Sequence, residues 1–126
     1  MTEEHMTAER HTWQHPGGIH VFDLNPMVRA LQDTDEYRSA GRTGLALVKV
    51  AEQRVVLEAL RHGTHLSTHQ VSGPVTVQVL LGEVRLEAEG EILYLRAGQV
   101  LYLPSSIAHS VEAMKDSALL ITISPR

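Results

Sequence analysis

Histidine is the residue type in this chain with the greatest capacity for chemistry. There are eight histidines and no cysteine, so disulfide bonds and thiolate metal sites are excluded. Imidazole titrates near neutral pH and is a common ligand of transition metals. Two histidines, His65 and His69, lie in the stretch GTHLSTHQVSGPVTVQVLLG at 63–82, among glycines and alternating valines. A third, His109, belongs to the stretch GQVLYLPSSIAHSVEA at 98–113.

Four other histidines lie in the polar first twenty residues, which also contain a Pro-Gly-Gly break. Their spacing fits no tetrahedral metal site, and no rigid element holds them. We therefore predict that residues 1–20 form a flexible N-terminal arm. Trp13 is the single tryptophan and is suited to anchor that arm in a surface groove or on a partner subunit. The four histidines are His5, His11, His15 and His20.

The remaining chain, 21–126, is predicted to fold as one all-β domain. From Thr43 onwards the hydrophobic period is two, over eight short segments rich in Val, Leu and Ile and separated by turn residues. Eight strands without intervening helices favour an antiparallel sandwich or barrel. One short helix precedes them, with Asn25 as its cap, Pro26 at its first position and Gly41 after its end.

Two of the predicted strands, VTVQVLL and ALLITI, are apolar on both faces. Such strands are covered on both sides of the sheet. A subunit interface supplies that cover, so we expect a homodimer.

The spacing of the two histidine-containing stretches resembles the two motifs of the cupin superfamily, Gly-x5-His-x-His-x3-Glu-x6-Gly and Gly-x5-Pro-x-Gly-x2-His-x3-Asn. The resemblance implies a double-stranded β-helix, the jelly-roll cupin barrel, with one short N-terminal helix. The corresponding positions here are Gly63, His69, Val71, Val75 and Gly82, followed by Gly98, Pro104, Ser106, His109 and Ala113.

The resemblance also implies a metal site, of which half the ligands are missing. In metal-binding cupins the two histidines and the glutamate of the first motif join the histidine of the second around one ion. Only His69 and His109 match ligand positions, because Val71 and Val75 replace the other two and valine has no lone pair. Two protein ligands are fewer than the usual three or four, so Fe, Mn, Ni, Cu or Zn would be bound weakly.

A third ligand has two candidates. His65 is four residues before His69, about 13 Å away on an extended strand, unless a turn near Gly63 shortens the distance. Gln78 is turned to the outer face by strict alternation from Val75, unless a bulge beside Gly73 and Pro74 reverses it.

The same alternation predicts a pocket. His109 and Val111 share a face of one strand, as His69, Val71 and Val75 share a face of others, and Tyr94 or Tyr102 is expected to complete the lining. Glu58 lies in a preceding strand, where a lone carboxylate is either turned inwards or, more commonly, exposed.

Two functions follow from this pocket. The first is binding of a small molecule around His69 and His109, with a degenerate metal site. The second is a metal-dependent reaction of the dioxygenase or isomerase type found among cupins, using His69, His109 and a non-standard third ligand.

Composition excludes other classes of function. The 126 residues carry a net charge of -4 and no run of basic residues, which argues against a nucleic-acid partner. The first twenty residues contain no apolar segment able to act as a signal peptide or a membrane span. We expect a soluble cytoplasmic protein with no membrane partner.

Overall fold

The computed structural model describes residues 18–69 and 72–125, except for the side chains of 67–69. The predicted arm therefore lies almost entirely outside the described residues, and so do Trp13 and Val71. Within the described ranges, no helix has the length and apolar character needed to cross a membrane.

Two helices and nine strands make up the described part of the chain. The helices are α1 (Leu24–Gln32) and α2 (Asp35–Ala40). The strands are β1 (Arg42–Val50), β2 (Gln53–Leu60), β3 (His65–His69), β4 (Val75–Leu81), β5 (Glu83–Ala88), β6 (Glu91–Arg96), β7 (Val100–Leu103), β8 (His109–Ala113) and β9 (Ser117–Ile123).

The strands form two sheets with antiparallel pairing throughout. One sheet has the order β1-β2-β9-β4-β7 and the other β3-β8-β5-β6. Their inner faces meet in an aliphatic core that includes Leu60, Val77, Val84, Leu86 and Leu119. The predicted all-β jelly-roll fold is confirmed.

Eight of the nine strands coincide with the sequence segments whose hydrophobic pattern has a period of two. The ninth, β3, is polar except for Leu66, so its own sequence carries a weak strand signal. It is held by antiparallel pairing with β8, in which Leu66 lies opposite Val111. Pairing with a buried partner strand therefore stabilises β3, although its own residues have a weak preference for the strand conformation.

The single predicted helix is in fact two. The break falls at Thr34, whose buried hydroxyl donates to the carbonyl oxygen of Leu31 at 2.8 Å and accepts from the backbone N–H of Tyr37 at 3.2 Å. One threonine therefore ends α1 and caps α2. Helix α1 already begins at Leu24, so Asn25 is not its cap. Gly41 follows α2 with φ 81°, as expected for a residue that ends a helix.

The two helices cover the outer face of β1, β2 and β9. Val28, Leu31 and Tyr37 pack there against a second apolar cluster that includes Leu57 and Ala118. The apolar outer face of β9 is thus covered by this chain itself, so the double-sided pattern of ALLITI does not require a partner subunit. On the neighbouring β4, Gln78 of VTVQVLL is exposed.

Candidate functional site

A cavity of about 210 Å³ lies between the two sheets. Most of its wall is aliphatic, which follows from the inward alternation of β4, β8 and β9. Three lining residues are polar, and they come from three different strands. The aliphatic residues are Leu66, Val75, Val77, Val111, Leu119, Ile121 and Ile123, and the polar ones are Arg42, Glu58 and His109.

His109 begins β8 and is half-buried at the cavity wall. Its Nδ1 atom lies 3.1 Å from the carbonyl oxygen of Ile107. Because a carbonyl oxygen only accepts, this contact selects the ring form in which Nδ1–H is the donor. In the neutral ring, Nε2 then carries the lone pair.

A bulge in β3 sets the position of His69. Leu66 pairs with Val111 and His69 pairs with His109, so four residues of β3 lie opposite three of β8. Such a bulge interrupts the regular pairing of the two strands. The backbone register thus places the two predicted histidines directly across from each other on neighbouring strands.

The other predicted pocket residues divide between two locations. Val75 lines the cavity. Tyr102 is 62% exposed and Tyr94 is 57% exposed, and neither lines the cavity. Tyr102 alternates with Leu103, which is buried in the core between the sheets, so the tyrosine faces outwards.

Both candidates for a third metal ligand lie outside the cavity. His65 is exposed beside the buried Leu66 of the same strand, and Gln78 is exposed between Val77 and Val79. The alternation of inward and outward side chains therefore holds at both His65 and Gln78. Among the described side chains, no group of three or more His, Cys, Asp or Glu residues could hold a metal ion.

Glu58 is turned inwards from the middle of three strands. It lies opposite Gly44 of β1 on one side and opposite Leu119 of β9 on the other. Burial raises the pKa of the Glu58 carboxyl above its ordinary value of 4.5, and the positive charge of Arg42 partly opposes that rise. Of the two orientations considered for Glu58, inward or exposed, the structure has the inward one.

Gly44 makes the room for this carboxylate. A Cβ atom at position 44 would overlap the Oε2 atom of Glu58 and crowd the carbonyl oxygen of Leu57. Glu58 and Arg42 also line an adjoining surface cleft, whose other residues include Glu36 and Thr43. The carboxylate therefore lies where the inner cavity meets that cleft.

Two of the three polar lining residues were not among the predicted pocket residues. Arg42 was not singled out because it stands at the exposed start of β1. The signal for Glu58 was present in QRVVLEAL, where Val56 and Leu60 flank it at the same parity. A charge between two aliphatic residues of the same strand face is therefore a signal for an inward carboxylate here.

Several solved proteins share this architecture. A cupin superfamily protein from Desulfitobacterium hafniense has a TM-score of 0.66 at 18% identity, covering 68% of this chain and 78% of that one. KdgF from a Halomonas species has a TM-score of 0.64 at 24% identity, covering 68% and 80%. The chain has the cupin fold. The resemblance predicted from motif spacing is confirmed at the level of the fold.

A larger protein also contains this cupin fold. A variant of salicylate 1,2-dioxygenase from Pseudoaminobacter salicylatoxidans has a TM-score of 0.73 at 20% identity, and the match covers 82% of this chain but 34% of that one. No protein-family model matches the sequence, and no curated protein does.

Backbone conformation supports the motif alignment within the cupin fold. Gly82 ends the first motif with φ 83°, where a Cβ atom would collide with the backbone of Asp116 and Ser117. Ser106 replaces a motif glycine and still has φ 65°. A left-handed conformation at a serine is strained, so the turn before His109 has the backbone shape that the glycine of the cupin motif would favour.

The half-buried carboxylate of Glu58 generates a pH-dependent prediction. A carboxyl whose pKa is higher in the folded than in the unfolded chain favours folding below pH 4.5, and that contribution is lost as pH rises through the folded pKa. Glu58→Gln removes this effect. We expect the free energy of unfolding of the wild-type protein to fall relative to that of E58Q between pH 4 and pH 7, measured by urea unfolding at several pH values.

The control is Glu91→Gln, which changes an exposed glutamate on β6. Arg42 and His109, which line the same cavity, are present in every protein compared, so the comparison isolates the carboxyl of Glu58. Parallel stability curves for the wild type and E58Q would contradict the raised pKa.

Proposed function

We propose that this protein binds a small, largely apolar molecule in the cavity between its sheets, around His69 and His109. The observation that supports this proposal is the cavity itself, whose wall has seven aliphatic residues and three polar ones. Ligand sites in proteins commonly combine an apolar lining with a few polar groups that orient the ligand. Arg42, Glu58 and His109 supply those groups.

The size of the cavity limits the ligand. A buried apolar cavity of roughly 150 Å³ is sufficient to bind benzene. At about 210 Å³, this cavity accommodates one six-membered ring with a short substituent. Larger ligands would have to extend through the cleft that Glu58 and Arg42 share with the cavity.

The test uses toluene and benzyl alcohol as probes and follows the methyl signals of Val75, Val77 and Ile121 by NMR. We expect binding with a dissociation constant in the millimolar range or below, about -4 kcal/mol or better. Val77→Phe fills the cavity and should weaken binding at least tenfold, because the added ring occupies the space of the probe.

Val50→Phe is the matched control, since Val50 is 44% exposed on β1 and does not line the cavity. Ile121→Phe is a second cavity-filling variant in case V77F does not fold. The proposal is wrong if neither probe shifts the cavity methyls, or if both filled variants bind the probes as tightly as the wild type.

A metal-dependent reaction is the second candidate function, and two observations favour it. The backbone register pairs His69 with His109, and a carboxylate, Glu58, lines the same cavity. One neighbour in fold is named as a dioxygenase. The described side chains do not by themselves form a metal centre, so this candidate requires a ligand set that includes His69.

Elemental analysis of untagged protein separates the two candidates. Under the small-ligand proposal we expect Fe, Mn, Ni, Cu and Zn each well below one atom per chain, because two histidines are too few for tight binding. Near-stoichiometric metal that disappears in a His69→Ala, His109→Ala double variant would establish the second candidate instead. His65→Ala, at an exposed position, is the control for histidine content.

We also propose that two copies of the chain associate. On the outer face of β7, Val100 and Tyr102 are 63% and 62% exposed, and ahead of α1 the side chains of Ile19 and Val21 are almost fully exposed. Exposed apolar side chains that lie together are typical of an interface, and Val100 and Tyr102 lie on one face of β7. A two-fold dimer is the simplest closed arrangement that covers the same patch on both copies.

Light scattering after size-exclusion chromatography tests the association. We expect a dimer for the wild type and a monomer for Tyr102→Glu, because a charge buried at an interface is costly. Val50→Glu, at an exposed position on β1, should remain dimeric. A wild-type monomer would exclude the dimer, and a dimeric Y102E would exclude the β7 face as its interface.

A further inference from the structure

Glu58 is a carboxylate without a structural partner. Within the part of the chain that the structure describes, no hydrogen-bond donor and no cation is found within bonding distance of it. Arg42 acts on it only as a nearby charge. Glu58 is half-buried, and a carboxylate that is partly removed from water usually accepts hydrogen bonds or forms an ion pair.

The fold nevertheless makes space for this group. Gly44 lies opposite Glu58 in the β1–β2 register, and a side chain at that position would overlap the carboxylate. On the other side, Leu119 of β9 is fully buried. A charge that is partly removed from water and has no partner costs stability.

We infer that Glu58 is the group that binds the polar end of the ligand, and that the ligand is a small apolar molecule presenting a hydrogen-bond donor, an amine or a hydroxyl, rather than a carboxylate. This inference rests on the proposed function of the cavity.

The choice of a donor follows from the chemistry of the two partners. An ionised carboxylate only accepts hydrogen bonds. A ligand that fills the aliphatic cavity displaces the water that solvates Glu58, and the carboxylate is then unsatisfied unless the ligand donates to it. A ligand carboxylate would place two negative charges together in a region of low dielectric constant.

The experiment compares four probes that share one ring: toluene, benzyl alcohol, benzylamine and benzoate. Their dissociation constants are measured by NMR for the full-length wild type, Glu58→Leu, Glu58→Gln and the control Glu91→Leu, which changes an exposed glutamate. For each protein, the ratio of the dissociation constant for toluene to that for benzyl alcohol or benzylamine gives its preference for the two donors.

We expect the preference for benzyl alcohol and benzylamine over toluene to fall at least tenfold in E58L and to be unchanged in E91L. In E58Q, benzylamine should lose more affinity than benzyl alcohol, because the amide keeps an acceptor oxygen but no charge. E58L should also have a higher Tm than the wild type, since leucine replaces a half-buried charge that has no partner.

Two other outcomes are distinguishable. If toluene binds in the cavity but E58L leaves the preference unchanged, or if benzoate binds most tightly, the role of Glu58 is wrong and the small-ligand cavity stands. If no probe binds the wild type, the proposed function fails, and this inference fails with it.

Discussion

Strand register is the constraint on which the rest of this structure depends. Antiparallel pairing fixes which residue of one strand lies opposite which residue of the next, and alternation then decides which of them face the interior. The β3–β8 register brings His69 to His109. The β1–β2–β9 register brings Glu58 between Gly44 and Leu119. A shift of one residue in β2 would turn the carboxylate towards the helices and remove it from the cavity.

Features that depend on local pattern were predictable from the sequence. In β5, the alternation of Val84 and Leu86 with charged residues indicated which face is buried, and both are fully buried. The spacing of the glycines and histidines in the two motifs indicated the cupin fold, because each glycine marks a turn whose backbone favours it. These signals lie within short segments, where sequence and conformation are directly linked.

Features that depend on distant partners were not predictable in the same way. The division of one predicted helix into α1 and α2 depends on a buried hydroxyl of Thr34 that serves both helices. The inward turn of Glu58 depends on a glycine in the neighbouring strand, which only the register identifies. Tyr102 was expected to help line the pocket, but parity with the buried Leu103 decides its face.

Strand β2 separates two apolar clusters that belong to different layers. Leu57 and Ala59 pack against the helices, whereas Leu60 belongs to the core between the sheets and Glu58 lines the cavity. A single strand, β2, therefore separates the cavity from the helical layer. A ligand that displaced β2 would therefore also move the surface on which α1 and α2 pack.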